Sequence, residues 1–182
     1  MNVITSSIYL LLGLGAFAQA QQPDSPAASD RTAVAEMRPT EKNMASGMIT
    51  FAAGTDANTV TVRITLSNLA PNGSHGVHVH EVGDCSAADA SSAGAHFNPS
   101  AKQHGDTRGP ERHAGDLGNV TANAAGDVST LIEIPALSID AGSNGVVGRS
   151  VIVHAKPDDL KGQPAGNSGA RIACGVIRAA KK

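Results

Sequence analysis

Six of the seven histidines in this 182-residue chain sit where they can gather around metal ions. His78-Val79-His80 is the first pair. On a strand, residues two apart point to the same face, so the two imidazoles converge on one point, as a copper or zinc site requires. Alone, such a pair is a weak signal, because histidine is also a common structural residue. Its company changes the weight. His96, His104, His113 and Asp116 follow within 21 residues of one another. Three imidazoles and one carboxylate make a closed four-coordinate set that suits structural zinc. His154 ends the apolar run Val151-Ile152-Val153 and is placed to close a second site with His78 and His80. Scattered surface and core histidines are the bland alternative. Six of them around one loop and two strand ends weigh against it. The seventh, His75, lies three residues before His78, on the opposite face, and reads as structural.

The elements that must position these groups read as strands. Val60, Val62, Ile64 and Leu66 alternate with Thr61, Arg63 and Thr65, the period of a half-buried strand. Ile49 and Phe51 alternate with Met48 and Thr50, and Gly54 to Asn58 supplies a turn between the two. Val77 and Val79 alternate with His78 and His80. Val128–Ile134, Val146–His154 and Ile172–Ile177 are further strand candidates. About eight strands at this spacing, with no helical pattern, predict an all-β antiparallel sandwich or barrel. Two segments break the rhythm, Cys85–Gly115 and Lys156–Ala170. Long irregular loops in a compact domain are functional or disordered, and the histidines in the first favour function.

Composition sets the remaining bounds. Aromatics make up 2% with no Trp, so the core must come from Val, Ile, Leu and Ala. The net charge of -2 gives no footprint for nucleic acid. Residues 1–20 read as a signal peptide: Ile8–Phe17 is an apolar h-region, and Ala18-Gln19-Ala20 fits the small-x-small cleavage rule. That run is too short to span a bilayer, and no cysteine stands beside the cleavage site, so no membrane anchor is expected. Residues 21–31 read as a flexible leader and 32–182 as the folded domain. Export places the chain in the periplasm or outside the cell. An exported chain with one cysteine pair, Cys85 and Cys174, is expected to oxidise it, two free buried thiols being the alternative. Asn119-Val120-Thr121 fits the N-glycosylation pattern.

Several longer motifs occur in order: Gly76-Val77-His78-Val79-His80-Glu81, Gly83-Asp84-Cys85, Gly94-Ala95-His96-Phe97-Asn98-Pro99, Arg112-His113-Ala114-Gly115-Asp116-Leu117-Gly118-Asn119, and Gly166-Asn167-Ser168-Gly169-Ala170-Arg171-Ile172-Ala173-Cys174-Gly175-Val176-Ile177. Together they resemble the copper/zinc superoxide dismutase family, from about Thr32 to Ile177. The resemblance implies an eight-stranded Greek-key barrel with two long functional loops. It implies one copper on His78, His80, His96 and His154, and one zinc on His96, His104, His113 and Asp116. His96 is then shared as a bridging imidazolate. It further implies a Cys85–Cys174 disulfide, Arg171 beside the copper attracting the anion, and Asp158 accepting from His78 and His104 behind both metals. The implied reaction turns two superoxide anions and two protons into dioxygen and hydrogen peroxide, with copper cycling between Cu(II) and Cu(I) and zinc structural, as protection against oxidative damage outside the cytoplasm.

The protein is slightly anionic, so steering of a small anion must be local, through Arg171 and through Lys156 and Lys161 at the rim. Ala165 stands where many members carry a hydroxyl residue that narrows the channel. Gly162-Gln163-Pro164 is neutral where some relatives have an acidic pair, so steering is expected to be organised differently. A non-catalytic copper-binding module is the competing class, but such domains lose a copper ligand or the arginine, and both are intact here. A metal-storage protein would need neither Arg171 nor a shared ligand. The family includes monomers and dimers, so a homodimer is one of the assemblies allowed.

Overall fold

The computed structural model describes residues 31–181 apart from 55, 57, 58 and 141. The expected signal peptide, and the leader except Arg31, lie outside these residues. Eight antiparallel strands make up the fold: β1 (Thr32–Pro39), β2 (Ser46–Ala53), β3 (Thr59–Ser67), β4 (Ser74–His80), β5 (Asp116–Thr121), β6 (Val128–Pro135), β7 (Ser150–His154) and β8 (Arg171–Ala179). Their order around the sheet is β5-β4-β7-β8-β1-β2-β3-β6, which curls into a nearly closed barrel. The β3–β4 and β6–β7 connections cross over intervening strands, as a Greek key requires. The helical content among the described residues is a single 3-10 turn, Ser91–Ala93, and no helix is long and apolar enough to cross a membrane.

Alternation decides what faces inward. Val60, Val62, Ile64 and Leu66 are 0–2% exposed, while Met48 on the outer face of β2 is 49% exposed. Each aliphatic side chain buried this way contributes roughly 1.5–3 kcal/mol. Strand β4 departs from the half-buried pattern, since every residue after Ser74 is buried. Val77 and Val79 join the barrel core, with Val151, Val153 and Ala173. His78 and His80 point the other way and are covered from outside by the two long loops. A second apolar cluster lies under the first loop, where Ala90, Ala93, Ile152 and Cys174 pack with Cys85.

Two strands, β1 and β5, were not among the sequence candidates. In β1 the inward positions are Ala33, Ala35 and Met37, so alternation in size is weak. In β5, Gly118 sits at a φ of +79° and interrupts the pattern. The expected strand from Val146 begins only at Ser150. Val146–Arg149 is instead a turn closed by Arg149 N–H on Val146 O (3.1 Å), with Gly148 at a φ of +87°. Val146 is apolar because it is fully buried in the core, not because it extends the strand.

Cys85 and Cys174 form a disulfide across a separation of 89 residues. It ties the first long loop to β8. Closing a loop of that size lowers the entropy of the unfolded chain enough to stabilise the fold by ~4–5 kcal/mol in the chain-entropy treatment. Cys174→Ser is therefore expected to lower the stability of the metal-free protein by about 2–5 kcal/mol in guanidinium titrations. A change below about 0.5 kcal/mol would show that the loop is held by packing alone.

Candidate metal centre

Two groups of four side chains each bring their donor atoms within 4.8 Å of one another: His78, His80, His96 and His154, and His96, His104, His113 and Asp116. His96 belongs to both. All seven residues are buried. The first group draws on β4 (His78, His80), the end of β7 (His154) and the first long loop (His96). His96 is itself drawn to β4 by a bridge opposite His80. The second group comes from the loop and from Asp116, the first residue of β5, which is paired with His78 across the sheet.

Ring orientation shows whether these groups fit metals. His78 directs Nε2 at Asp158 Oδ2 (2.7 Å) and His80 donates from Nδ1 to Gly94 O (2.9 Å). His154 donates from Nδ1 to Gly169 O (3.2 Å), while His96 Nδ1 lies 3.0 Å from Asp116 Oδ1. The remaining nitrogens, His78 Nδ1, His80 Nε2, His96 Nε2 and His154 Nε2, are buried without a hydrogen-bond partner and converge. A buried imidazole nitrogen of this kind needs a partner, and four aimed at one point match a metal bound by imidazole. In the second group, Asp116 Oδ1 lies 3.0 Å from His104 Nδ1 and 3.3 Å from His113 Nδ1. Its other oxygen accepts from the backbone N–H of His113 (2.8 Å) and Gly105 (3.2 Å). A set of three imidazoles and one carboxylate matches zinc.

The profile of the family described as copper/zinc superoxide dismutase (SODC) matches residues 45–177. Superoxide dismutase [Cu-Zn] of Schizosaccharomyces pombe is 40% identical over 151 residues, covering 80% of this chain and 96% of the relative. Superoxide dismutase [Cu-Zn] of Yarrowia lipolytica is 42% identical over 151 residues with the same coverage. The chain belongs to the copper/zinc superoxide dismutase family. It is accordingly an oxidoreductase acting on superoxide, with copper and zinc as cofactors.

Between the two groups lies Asp158, 4% exposed. Its Oδ2 meets His78 Nε2, and its Oδ1 meets His104 Nε2 at 2.8 Å. One carboxylate thus holds a ring in each group, the two contacts that the family resemblance implies for it. Burial alone would raise both carboxylates. The hydrogen bonds of His104, His113 and His96 outweigh it at Asp116, and those of His104 and His78 at Asp158, so both stay ionised well below the usual range. Burial, and then the neighbouring His78 ring, lowers His154 to about 3; burial outweighs the Asp116 hydrogen bond and lowers His96 to about 4. His104 behaves oppositely. Burial disfavours its charged form, but Asp116 and Asp158 together raise it to about 9.

Arg171 opens β8 and is half-buried. Its guanidinium donates to Ala90 O (2.6 Å) and Gly94 O (2.7 Å), both in the disulfide-clipped loop. Gly94 O also accepts from His80, so the arginine and one ring of the first group share an acceptor. Lys156 and Lys161 are exposed, and the stem of Lys156 lies along Gly169. Ala165 supplies only its carbonyl, to Ser168 Oγ–H (3.0 Å).

Other contributors were not legible in the sequence. His75, read as structural, donates from Nδ1 to the carbonyl of His154 (2.8 Å) and fixes the end of β7. Asn119, singled out only as a glycosylation motif, clamps the backbone of Asp158 by donating to its C=O (2.8 Å) and accepting its N–H (2.7 Å). Gly166 sits at a φ of +63°, and a Cβ there would fall 1.8 Å from Asp158 Oδ1 and 2.6 Å from His104 Nε2. Backbone carbonyls and close approaches of this kind leave no sequence signal beyond an unexplained glycine.

The charge of His104 yields a prediction on metal uptake. Near pH 7 the metal-free ring holds a proton, since its pKa lies at about 9. Zinc binding must expel it, because a ligating imidazole nitrogen carries no proton. Calorimetry of zinc uptake in buffers of different ionisation enthalpy should show about one proton released at pH 7, falling toward zero as the pH passes 9. Release of none at pH 7 contradicts the assignment.

Proposed function

We propose that the enzyme disproportionates superoxide outside the cytoplasm, with copper on His78, His80, His96 and His154 and zinc on His96, His104, His113 and Asp116. The observation that carries this is the shared ring of His96. It offers Nε2, buried and unpartnered, to the first group and Nδ1 to the second. Copper supplies the one-electron oxidation of one superoxide and reduction of another, while zinc supplies fixed charge without redox chemistry. The protein's own groups bind the anion, hold the rings and manage protons. Arg171 presents a permanent planar cation whose aim is fixed by two carbonyls. His96 takes up a proton at Nε2 and returns it to the peroxide formed in the second half-reaction. Asp116, held ionised, would share the zinc with His96 Nδ1 and so keep the ring plane in place meanwhile. Asp158 locks His78 and His104, so the ring that moves its proton is flanked by rings that do not turn. Two superoxide anions and two protons then leave as dioxygen and hydrogen peroxide.

Export is supported by the apolar run Ile8–Phe17 with its cleavage pattern and by the closed disulfide, which suits an oxidising compartment. The chain recovered outside the cytoplasm should begin at Gln21, carry one copper and one zinc, and consume superoxide. Metal uptake without superoxide consumption would instead favour a non-catalytic copper-binding module. Arg171→Glu should lower activity more at low ionic strength than at high, because exposed charge is screened within about 10 Å at 0.1 M salt. An unchanged salt profile would leave Arg171 only a structural role.

A further inference from the structure

The neutral tripeptide Gly162-Gln163-Pro164 has a use that the reaction does not explain. Gln163 is an exposed residue on the second long loop, yet its side-chain amide is fully engaged. Oε1 accepts from the backbone N–H of His104 (2.9 Å), and Nε2 donates to the carbonyl of the same residue (2.9 Å) and to Lys161 O (3.1 Å). The opposite amide orientation would set donor against donor and oxygen against two carbonyls, so the assignment is unambiguous. The 59-residue separation makes this a clamp between the two loops. The tip that carries Gln163 is itself rigid. Asp159 Oδ1 accepts from the N–H of Lys161 (2.9 Å) and Gly162 (2.7 Å), and its Oδ2 accepts from Asn167 Nδ2 (2.7 Å).

We propose that Gln163 is a positioning residue for zinc, a latch by which the second loop holds His104 in place. His104 lies in a stretch with no strand on either side, so its own segment does little to fix it. Gln163 holds its N–H and its C=O, and Asp158, from the same second loop, holds its Nε2. Three of its four polar groups are thus bound by the second loop, and the fourth, Nδ1, faces the zinc group. The inference rests on the assignment of His104 to zinc. It adds that zinc retention depends on a residue that touches no metal ligand atom.

The test uses the full enzyme with both metals. Gln163→Glu keeps the length and the acceptor for His104 N–H but turns an oxygen toward two carbonyls. Gln163→Met keeps the length and removes both bonds. The position is at the surface, so both variants should fold. Loss of an outer partner of a ligand commonly costs 10–100-fold in metal affinity, so zinc should dissociate roughly 10-fold faster from both variants. Cobalt placed in the zinc site should show a shifted visible absorption spectrum, and the His104 amide should exchange faster. The copper dissociation rate should remain that of the parent. Parent-like zinc dissociation and His104 exchange in both variants would overturn the latch. So would equal acceleration of zinc and copper loss, which would mean general loosening. A parent enzyme that takes up no zinc would instead overturn the assignment of His104 on which the latch rests.

Discussion

Four buried imidazole nitrogens that converge without hydrogen-bond partners set the constraint on the architecture beside the barrel. They belong to His78, His80, His96 and His154. A buried polar atom left unsatisfied costs about 1–3 kcal/mol, and four together are comparable to the whole stability of a small domain. The loops that bury them contain few apolar residues to offset that cost. A metal ion bound by those nitrogens would offset that cost and lend its binding energy to the loops. Metal coordination and loop structure are one energetic problem here, with Asp158 as the charge common to both halves.

The pleat of β4 solves the placement. Alternate residues of one strand serve two interiors: valines fill the barrel, while histidines face a second interior enclosed by loops. Three of the four side chains in the first group come from strand positions, and strands fix side-chain direction more tightly than loops do. The second group draws only Asp116 from a strand. Its rings need outside support, and they get it from Asp158, from the backbone N–H groups on Asp116 and from the contacts around His104.

How much of this could be read from the sequence depends on the kind of interaction. The barrel strands with large aliphatics were plain in β2 and β3 because period-two burial selects Val, Ile and Leu at every second position. Strand β1 was not, because its inward positions are mostly alanine, and Val146 misled because a buried turn residue and a strand residue are equally apolar. At the metal centre the side-chain donors were legible: the residues expected in the two groups are the ones brought together, and Asp158 meets His78 and His104. The parts that orient those donors were illegible because they are backbone atoms or generic amides. Gly94 O, Gly169 O and Asn119 carry no compositional mark, and Gly166 shows its purpose only once the carboxylate beside it is seen.

Gly94 has a consequence for motion. A carbonyl oxygen has two lone pairs, and here one serves the His80 ring and the other the Arg171 guanidinium. Rotating that single peptide would disturb the His80 ring and the Arg171 guanidinium together. The ring and the guanidinium therefore have no independent adjustment. Both are read off one hinge, and a loop movement that relaxes one must detune the other.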